Sequence, residues 1–373
     1  MTAREQLRVA VLYPANLASP RATPTRARIN IQAIGQKVAL HVIAEAGDSG
    51  SPASTTCSGD RGGDSKGREF SRLGFFRYTR RALRQLEAIK PDVIHAITTV
   101  AALPAALYKR RHPSTRFIFE MHGLAYFEQQ DLRIGKRLAL GFLDYWGAKH
   151  ADAIIAMSHT QRDLLQRIYR ARPEKIHVLW GPVDLDLFSY KEPRPSPPFV
   201  VGYCGNDCFW QGLATIFEAS RILEPHPEIH FLLMGFPKER YLGIGLPNVT
   251  FTGPISRAET PGYLSRCHVL LSPRIGHPAT ETQYPFKLSA YLAAGRPVVV
   301  TAVNDQPAVV RQADCGFIVP PGNARALAEA ILDLYRMPES QRLFLGRNAR
   351  LFAERHLSLG HLSDMLLQIY RNS

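Results

Sequence analysis

Between Leu271 and Thr301 the chain reads Leu-Ser-Pro-Arg-Ile-Gly-His-Pro-Ala-Thr-Glu-Thr-Gln-Tyr-Pro-Phe-Lys-Leu-Ser-Ala-Tyr-Leu-Ala-Ala-Gly-Arg-Pro-Val-Val-Val-Thr. An apolar strand, a polar loop, a helix, a glycine and a second strand follow in that order. Pro285 suits the first turn of the helix and Gly295 its carboxyl end. The amides of Phe286, Lys287 and Leu288 then have no helical carbonyl to bond. With the helix dipole and the Lys287 ammonium they form a candidate cradle for a diphosphate. A helix that merely starts and stops well reads the same way, so this segment does not decide alone.

A second candidate lies at the end of Arg116-Phe-Ile-Phe-Glu-Met-His-Gly123, an apolar strand that closes on His122. With a reference pKa near ~6.5, an imidazole placed there can give or take a proton at neutral pH. Two other patterns imitate metal sites. Asp184-Leu-Asp186 has D-x-D spacing, and Cys204 and Cys208 have C-x3-C spacing without a second Cys or His pair at zinc-finger distance. No metal is expected at the cysteine pair.

The elements that must position these residues alternate along the whole chain. Short apolar runs at 8–12, 38–43, 93–97, 117–121, 153–156 and 176–179 are separated by longer amphipathic segments. The same alternation recurs at 199–203, 230–234, 249–252, 269–272, 298–301 and 317–319. Nearly continuous apolar strands belong to parallel sheets covered on both faces. In Asn323-Ala-Arg-Ala-Leu-Ala-Glu-Ala-Ile-Leu-Asp-Leu-Tyr335, an Asn cap precedes a stripe of Leu327, Ala330, Ile331, Leu334 and Tyr335. Two α/β, doubly wound Rossmann-like domains facing a central cleft follow, with ligands at the carboxyl ends of the strands.

The expected division is residues 1–190, residues 191–355, and a final helix at 356–373 packing back on the first domain. The four prolines of Lys191-Glu-Pro-Arg-Pro-Ser-Pro-Pro198 mark the linker. The Gly-, Ser- and Asp-rich stretch 46–67 reads as a surface loop.

Composition narrows the classes further. The 373 residues carry a net charge of +14, with 28 Lys/Arg against 17 Asp/Glu in residues 1–190 alone. Such a field attracts nucleic acid, anionic lipid or phosphorylated substrates. RRM, KH and zinc-finger signatures are missing, so nucleic acid is not the expected partner. G-x-G-x-x-G, Walker A, G-x-S-x-G and H-E-x-x-H are missing too, which argues against dehydrogenases, P-loop NTPases, α/β hydrolases and zincins. The start of the chain runs directly into a strand, and no apolar run approaches the ~18 residues of a spanning helix. A cytoplasmic protein is expected.

In the basic half, Arg77, Arg80, Arg81 and Arg84 recur at i, i+3, i+4 and i+7 on one helical face, and 109–112 adds a second basic cluster. Besides a solvated face, this stripe can hold the protein peripherally on the inner, anionic leaflet of the plasma membrane.

The segment 271–301 resembles the donor-site signature of the retaining, GT-B-fold glycosyltransferases of family four (glycosyl transferases group one). Ala151-Asp-Ala-Ile-Ile-Ala-Met-Ser158, Glu174 to Phe188, Val201-Gly-Tyr-Cys-Gly205, Trp210-Gln-Gly212 and Asn248-Val-Thr-Phe-Thr-Gly253 fall in that family's order. The resemblance implies retaining transfer of a sugar from a nucleotide-diphosphate donor to a glycan or lipid-linked acceptor. It implies no catalytic metal and no cofactor, and a role in cell-surface or exopolysaccharide synthesis. It places the acceptor in the first domain and the nucleotide sugar in the second.

By the same resemblance His122 is the active-site histidine. The donor contacts fall at Gly205, Asn206, Gln211, Glu281, Thr282, Tyr284, Phe286, Lys287 and Leu288; Thr23, Thr25, Arg26 and Glu128 face the acceptor. The departing diphosphate gathers negative charge, and losing one preorganised donor there costs ~2.7–4 kcal/mol of barrier. The family's usual Arg and Lys are replaced by Asn206 and Gln211, and its paired glutamates fall at Thr282 and Ala290. Those replacements motivate an alternative, a non-catalytic nucleotide-sugar-binding protein on the same scaffold. A sugar-nucleotide epimerase of similar build is also compatible with the motifs.

Overall fold

The computed structural model describes residues 6–17, 22–45, 72–129, 132–191, 197–241 and 243–372. They form two compact units. The first runs to Pro182 and takes the chain back from Leu359 on; the second spans Val183–Ser358. The stretch 46–67 and the prolines at 193 and 195 lie outside the described residues.

The first unit holds β1 (Arg8–Asn16), α1 (Ala22–Ile34), β2 (Ala39–Glu45), α2 (Arg72–Ile89), β3 (Val93–Ile97) and α3 (Thr99–Arg111). It continues with β4 (Arg116–Met121), α4 (Ala125–Glu128), α5 (Ile134–His150), β5 (Ala153–Ala156), α6 (His159–Tyr169) and β6 (Ile176–Val178). Its six-stranded sheet has the order β2-β1-β3-β4-β5-β6, and every pairing is parallel.

The second unit holds β7 (Phe199–Cys204), α7 (Leu213–Ile222), β8 (Ile229–Met234), β9 (Val249–Phe251), α8 (Thr260–Leu264), β10 (Val269–Ser272) and α9 (Pro278–Thr282). After these come α10 (Phe286–Ala293), β11 (Val298–Thr301), α11 (Gln306–Ala313), β12 (Gly316–Val319), α12 (Ala324–Arg336) and α13 (Glu339–His356). The order β12-β11-β10-β7-β8-β9 is again six-stranded and parallel. The last helix, α14 (Leu359–Arg371), packs on α1 of the first unit.

The sheets form because their strands bury both faces: β3, β5, β10 and β11 are buried at every position. Leu12, Phe117, Phe119 and Ile154 lie in one core, Val201, Phe231, Leu271 and Val299 in the other. Each such side chain is worth ~1.5–3 kcal/mol on burial. The expected Asn323 cap is present, its side chain accepting from the Ala326 amide at 2.9 Å.

Both orders reverse once, at β1/β3 in the first sheet and at β7/β10 in the second. Connections leave such a point in opposite directions, so the strand ends there stay uncovered, and ligands of open α/β sheets bind at that place.

Candidate functional site

In the first unit the reversal is marked by a buried charge. Glu120, the one ionisable residue within the apolar part of β4, is fully buried. Four side chains converge on it. Arg26 Nε lies 3.1 Å and His122 Nε2 2.6 Å from its Oε1. Asn30 Nδ2 lies 2.7 Å and His95 Nε2 3.1 Å from Oε2. Arg26 and Asn30 meet it together because they sit four apart on one face of α1.

Burial alone would raise the carboxyl, but the Arg26 guanidinium and the hydrogen bonds from His122 and His95 overcome it and hold Glu120 well below the usual carboxylate range. An ionised carboxylate can only accept, so the Nε2 of both histidines carries the proton. His95 Nδ1 then accepts from the Tyr370 hydroxyl at 2.7 Å. His122 Nδ1, buried and without a hydrogen-bond partner among the described residues, is left as an acceptor.

His122 lines a pocket of about 250 Å³ at the carboxyl ends of β1, β3 and β4, together with Tyr13 to Asn16, Thr23, Thr98, Thr99, Gly123, Glu128 and Asp144. Thr98 is β-branched yet holds φ 73, a strained conformation at the pocket wall. A Cβ at Gly123 would fall 1.3 Å from Glu128 Oε1, so only glycine lets that carboxylate lie over the loop. Asp144 accepts from the Ala125 amide at 2.9 Å. Burial pushes its carboxyl up to about 7 against the hydrogen bonds from Thr99 and Ala125, and the nearby Glu128 adds to the rise.

Of the acceptor-side expectations, Thr23 and Glu128 therefore share the pocket with His122. Arg26 does not: it is fully buried, bonded to Glu120 and to the Trp180 carbonyl at 2.9 Å. It neutralises Glu120 from inside the fold and is not part of the pocket lining. Thr25 lies outside the pocket lining, its hydroxyl accepting from Arg28 at 2.9 Å.

In the second unit the reversal brings β7 beside β10, and α10 points its amino end there. Tyr291 of α10 is stitched to the end of β7: its hydroxyl donates to the Cys204 carbonyl at 3.0 Å and accepts from the Cys204 amide at 2.8 Å. One turn earlier, Lys287 Nζ donates to Tyr203 Oη and to Gln211 Oε1, both at 2.8 Å. It also lies 4.0 Å from the Tyr203 ring centre. Burial, and then the Arg274 charge, push Lys287 down to about 7.

Gly205 leaves room for this ammonium, since a Cβ there would stand 2.7 Å from Lys287 Nζ. Gly212 holds φ +78, and a Cβ there would strike the Pro273 carbonyl at 1.8 Å. Asn206 is exposed; its carbonyl accepts from Tyr203 Oη at 2.6 Å and its Oδ1 from the Cys208 amide at 3.3 Å. Gly205, Asn206, Gln211 and Lys287 are thus brought to one strand end.

Several expectations change here. Pro285 is the cap position preceding α10 rather than a residue of its first turn. The Leu288 amide bonds to the Pro285 carbonyl at 2.9 Å, which leaves Phe286 and Lys287 as the amides at the tip. Thr282 is buried, its hydroxyl bonded to the Pro278 and Ala279 carbonyls of its own short helix. Tyr284 is buried against Ser289. Glu281 accepts from the Asn304 amide at 3.2 Å and holds that residue's left-handed turn. These three shape the loop from inside.

Asp184 Oδ1 accepts from the amides of Asp186 and Leu187, the hydrogen bonding of a local turn. Glu120, Tyr203, Arg274 and Tyr291 were not singled out from the sequence. Glu120 had a legible signal, a lone charge inside an apolar strand, whereas the tyrosines look like ordinary core residues until their hydroxyl partners are known.

Comparison with known proteins places these features in context. A family model described as Glycosyltransferase Family 4 matches residues 32–187, and one described as Glycosyl transferases group 1 matches residues 198–337. A teichuronic acid biosynthesis glycosyltransferase of Bacillus subtilis, TuaH, is 29% identical over 163 residues, 41% of each chain. A D-inositol 3-phosphate glycosyltransferase of Mycobacterium avium is 26% identical over 247 residues, 60% of this chain and 55% of that one. The matches thus span about half the length of these relatives. Among solved structures, the sucrose-phosphate synthase of Thermosynechococcus elongatus superposes with a TM-score of 0.78 at 19% identity over 98% of both chains. HepE of Anabaena in complex with UDP superposes with a TM-score of 0.71 at 15% identity, over 97% of this chain and 99% of that one.

Proposed function

From a chain that belongs to the group 1 glycosyltransferases of family 4, we propose an enzyme that moves a sugar from a nucleotide-diphosphate donor to a glycan or lipid-linked acceptor. Transfer proceeds with retention, without metal or cofactor, in the synthesis of a cell-surface or exported polysaccharide. The observation that carries this reading is the placement of Lys287 and the tip of α10 at the carboxyl ends of β7 and β10.

In this reading the diphosphate rests on the Phe286 and Lys287 amides, and the Lys287 ammonium takes up the charge of the leaving group. Gly205, Asn206 and Gln211 border the same position. An ammonium held near neutral pKa is well suited to the task, because the arriving anion draws a proton onto it and the charge appears where the bond breaks. The UDP bound by HepE supports a uridine diphosphate donor.

The acceptor occupies the pocket of the first unit. There His122 Nδ1, its tautomer fixed by Glu120, accepts the proton of the reacting hydroxyl or orients it; Thr23 and Glu128 hold the rest of the acceptor. A thermal-shift panel of nucleotide sugars tests the reading, since a ligand stabilises the state it binds. A raised melting temperature with one nucleotide diphosphate and its sugars, accompanied by turnover, is expected. No shift with any of them removes the reading.

A further inference from the structure

The outer face of α5 carries an apolar stripe that nothing in the transfer reading uses. Ile134, Leu138, Phe142 and Tyr145 are 58%, 57%, 62% and 39% exposed, and their spacing of i, i+4, i+8 and i+11 aligns them along one side of the helix. Four large apolar side chains in a row on a surface helix mark a surface that docks on something.

The charges around the stripe specify the partner. Lys149 is exposed on the same side of α5 as the stripe, and the only acid of α5, Asp144, is buried on the opposite side, at the pocket. Arg137 lies over the Tyr126 ring. The same helical layer continues through α3 to α2, where Phe76 is 66% exposed among the exposed Arg77, Arg80, Arg81 and Arg84. An apolar strip flanked by cations is the pattern of a helix lying in an anionic bilayer surface. A second copy would bring the same positive charge against itself, which disfavours pairing.

We infer that the first unit docks on an anionic membrane through α5, with Ile134, Leu138, Phe142 and Tyr145 entering the headgroup region and the arginines of α2 adding electrostatic attraction. The inference goes beyond the transfer reading and does not depend on the donor chemistry. It also gives the pocket a setting: Leu140 and Asp144, on the other side of α5, line it, so a docked helix presents the acceptor pocket beside the lipid surface.

Sedimentation with phosphatidylglycerol/phosphatidylcholine vesicles tests this. The wild type should pellet with them and be released by salt. Leu138→Ser/Phe142→Ser should lower the partition coefficient about tenfold with an unchanged melting temperature, both positions being solvent-exposed. Arg77/Arg80/Arg81/Arg84→Gln should weaken binding and flatten its salt dependence. As an independent readout, the tryptophan emission of Phe142→Trp should shift to the blue on adding the same vesicles. Equal pelleting of wild type and the double serine variant, no pelleting of either, or an unshifted tryptophan overturns the inference. So does concentration-dependent dimerisation, without vesicle binding, that Phe142→Ser abolishes; this outcome assigns the stripe to a second copy.

Discussion

His122 Nε2 lies 2.6 Å from Oε1 of Glu120, the residue two positions earlier in the chain. Residues two apart on an extended segment share a face, so the histidine that closes β4 turns back to the carboxylate that β4 buries. That carboxylate is in turn held by Arg26 at 3.1 Å. One buried ion pair therefore fixes the ring, its tautomer and the start of α1 together.

The pair is structural as much as chemical. In Glu120→Gln the Arg26 guanidinium stays buried without a counter-charge, which costs about 3–5 kcal/mol. Urea unfolding should show that loss. A change below about 1 kcal/mol, the scale of an exposed pair, would mean that water reaches Arg26.

His122→Ala removes the acceptor at Nδ1 and leaves the second unit untouched. Turnover should fall at least about tenfold while the affinity for the nucleotide diphosphate stays within error. Steady-state kinetics paired with a binding titration separates the two effects. Full turnover contradicts the assignment.

Asp144 predicts a pH dependence of stability. Its carboxyl is raised from 3.8 to about 7, so between those values the folded state keeps a proton that the unfolded chain releases. The stabilisation is complete at low pH and is lost as pH rises through about 7. Asp144→Asn removes the titration and can still accept from the Ala125 amide. Its unfolding free energy relative to wild type should rise from pH 5 to pH 8, as urea titrations at both values would reveal. A constant difference contradicts the assignment.

Gly205→Ala probes the donor side. The added methyl meets the mobile end of Lys287 at 2.7 Å and Tyr203 Oη at 2.9 Å, so the ammonium must move while the sheet stays in place. A severalfold weaker nucleotide affinity with a nearly unchanged melting temperature is expected. Unchanged affinity would show that the position of Lys287 does not matter.

The central strands were legible because parallel strands buried on both faces are nearly continuous runs of Val, Ile, Leu and Ala, as in Val298–Thr301. The helix at 286–293 was legible from Pro285 and Gly295, and Lys287 from its place at the helix start. The centre of the first unit was not. Glu120 collects partners from positions 26, 30, 95 and 122, and the chain passes Tyr370 before His95 is satisfied. No local pattern encodes such a meeting.

For the same reason Arg26 reads from the sequence as an acceptor-side residue, and Thr282 and Tyr284 as donor contacts. Hydroxyls and guanidinium groups read identically in a sequence whether they face solvent or a buried partner. The apolar stripe of α5 has the spacing of any amphipathic helix. Only packing reveals that α5 turns Leu140 and Asp144 inward and leaves Phe142 outside.

The central claim, that Lys287 receives a diphosphate, is tested most directly by isothermal titration of UDP at pH 8 in two buffers of different ionisation heat. With Lys287 at about 7 in the free protein, most of it is neutral at that pH, and an arriving anion raises its pKa. Binding should therefore take up close to one proton, affinity should fall as pH rises further, and Lys287→Ala should bind at least about tenfold more weakly with no uptake. Equal affinity and equal proton uptake in the wild type and Lys287→Ala would contradict the claim.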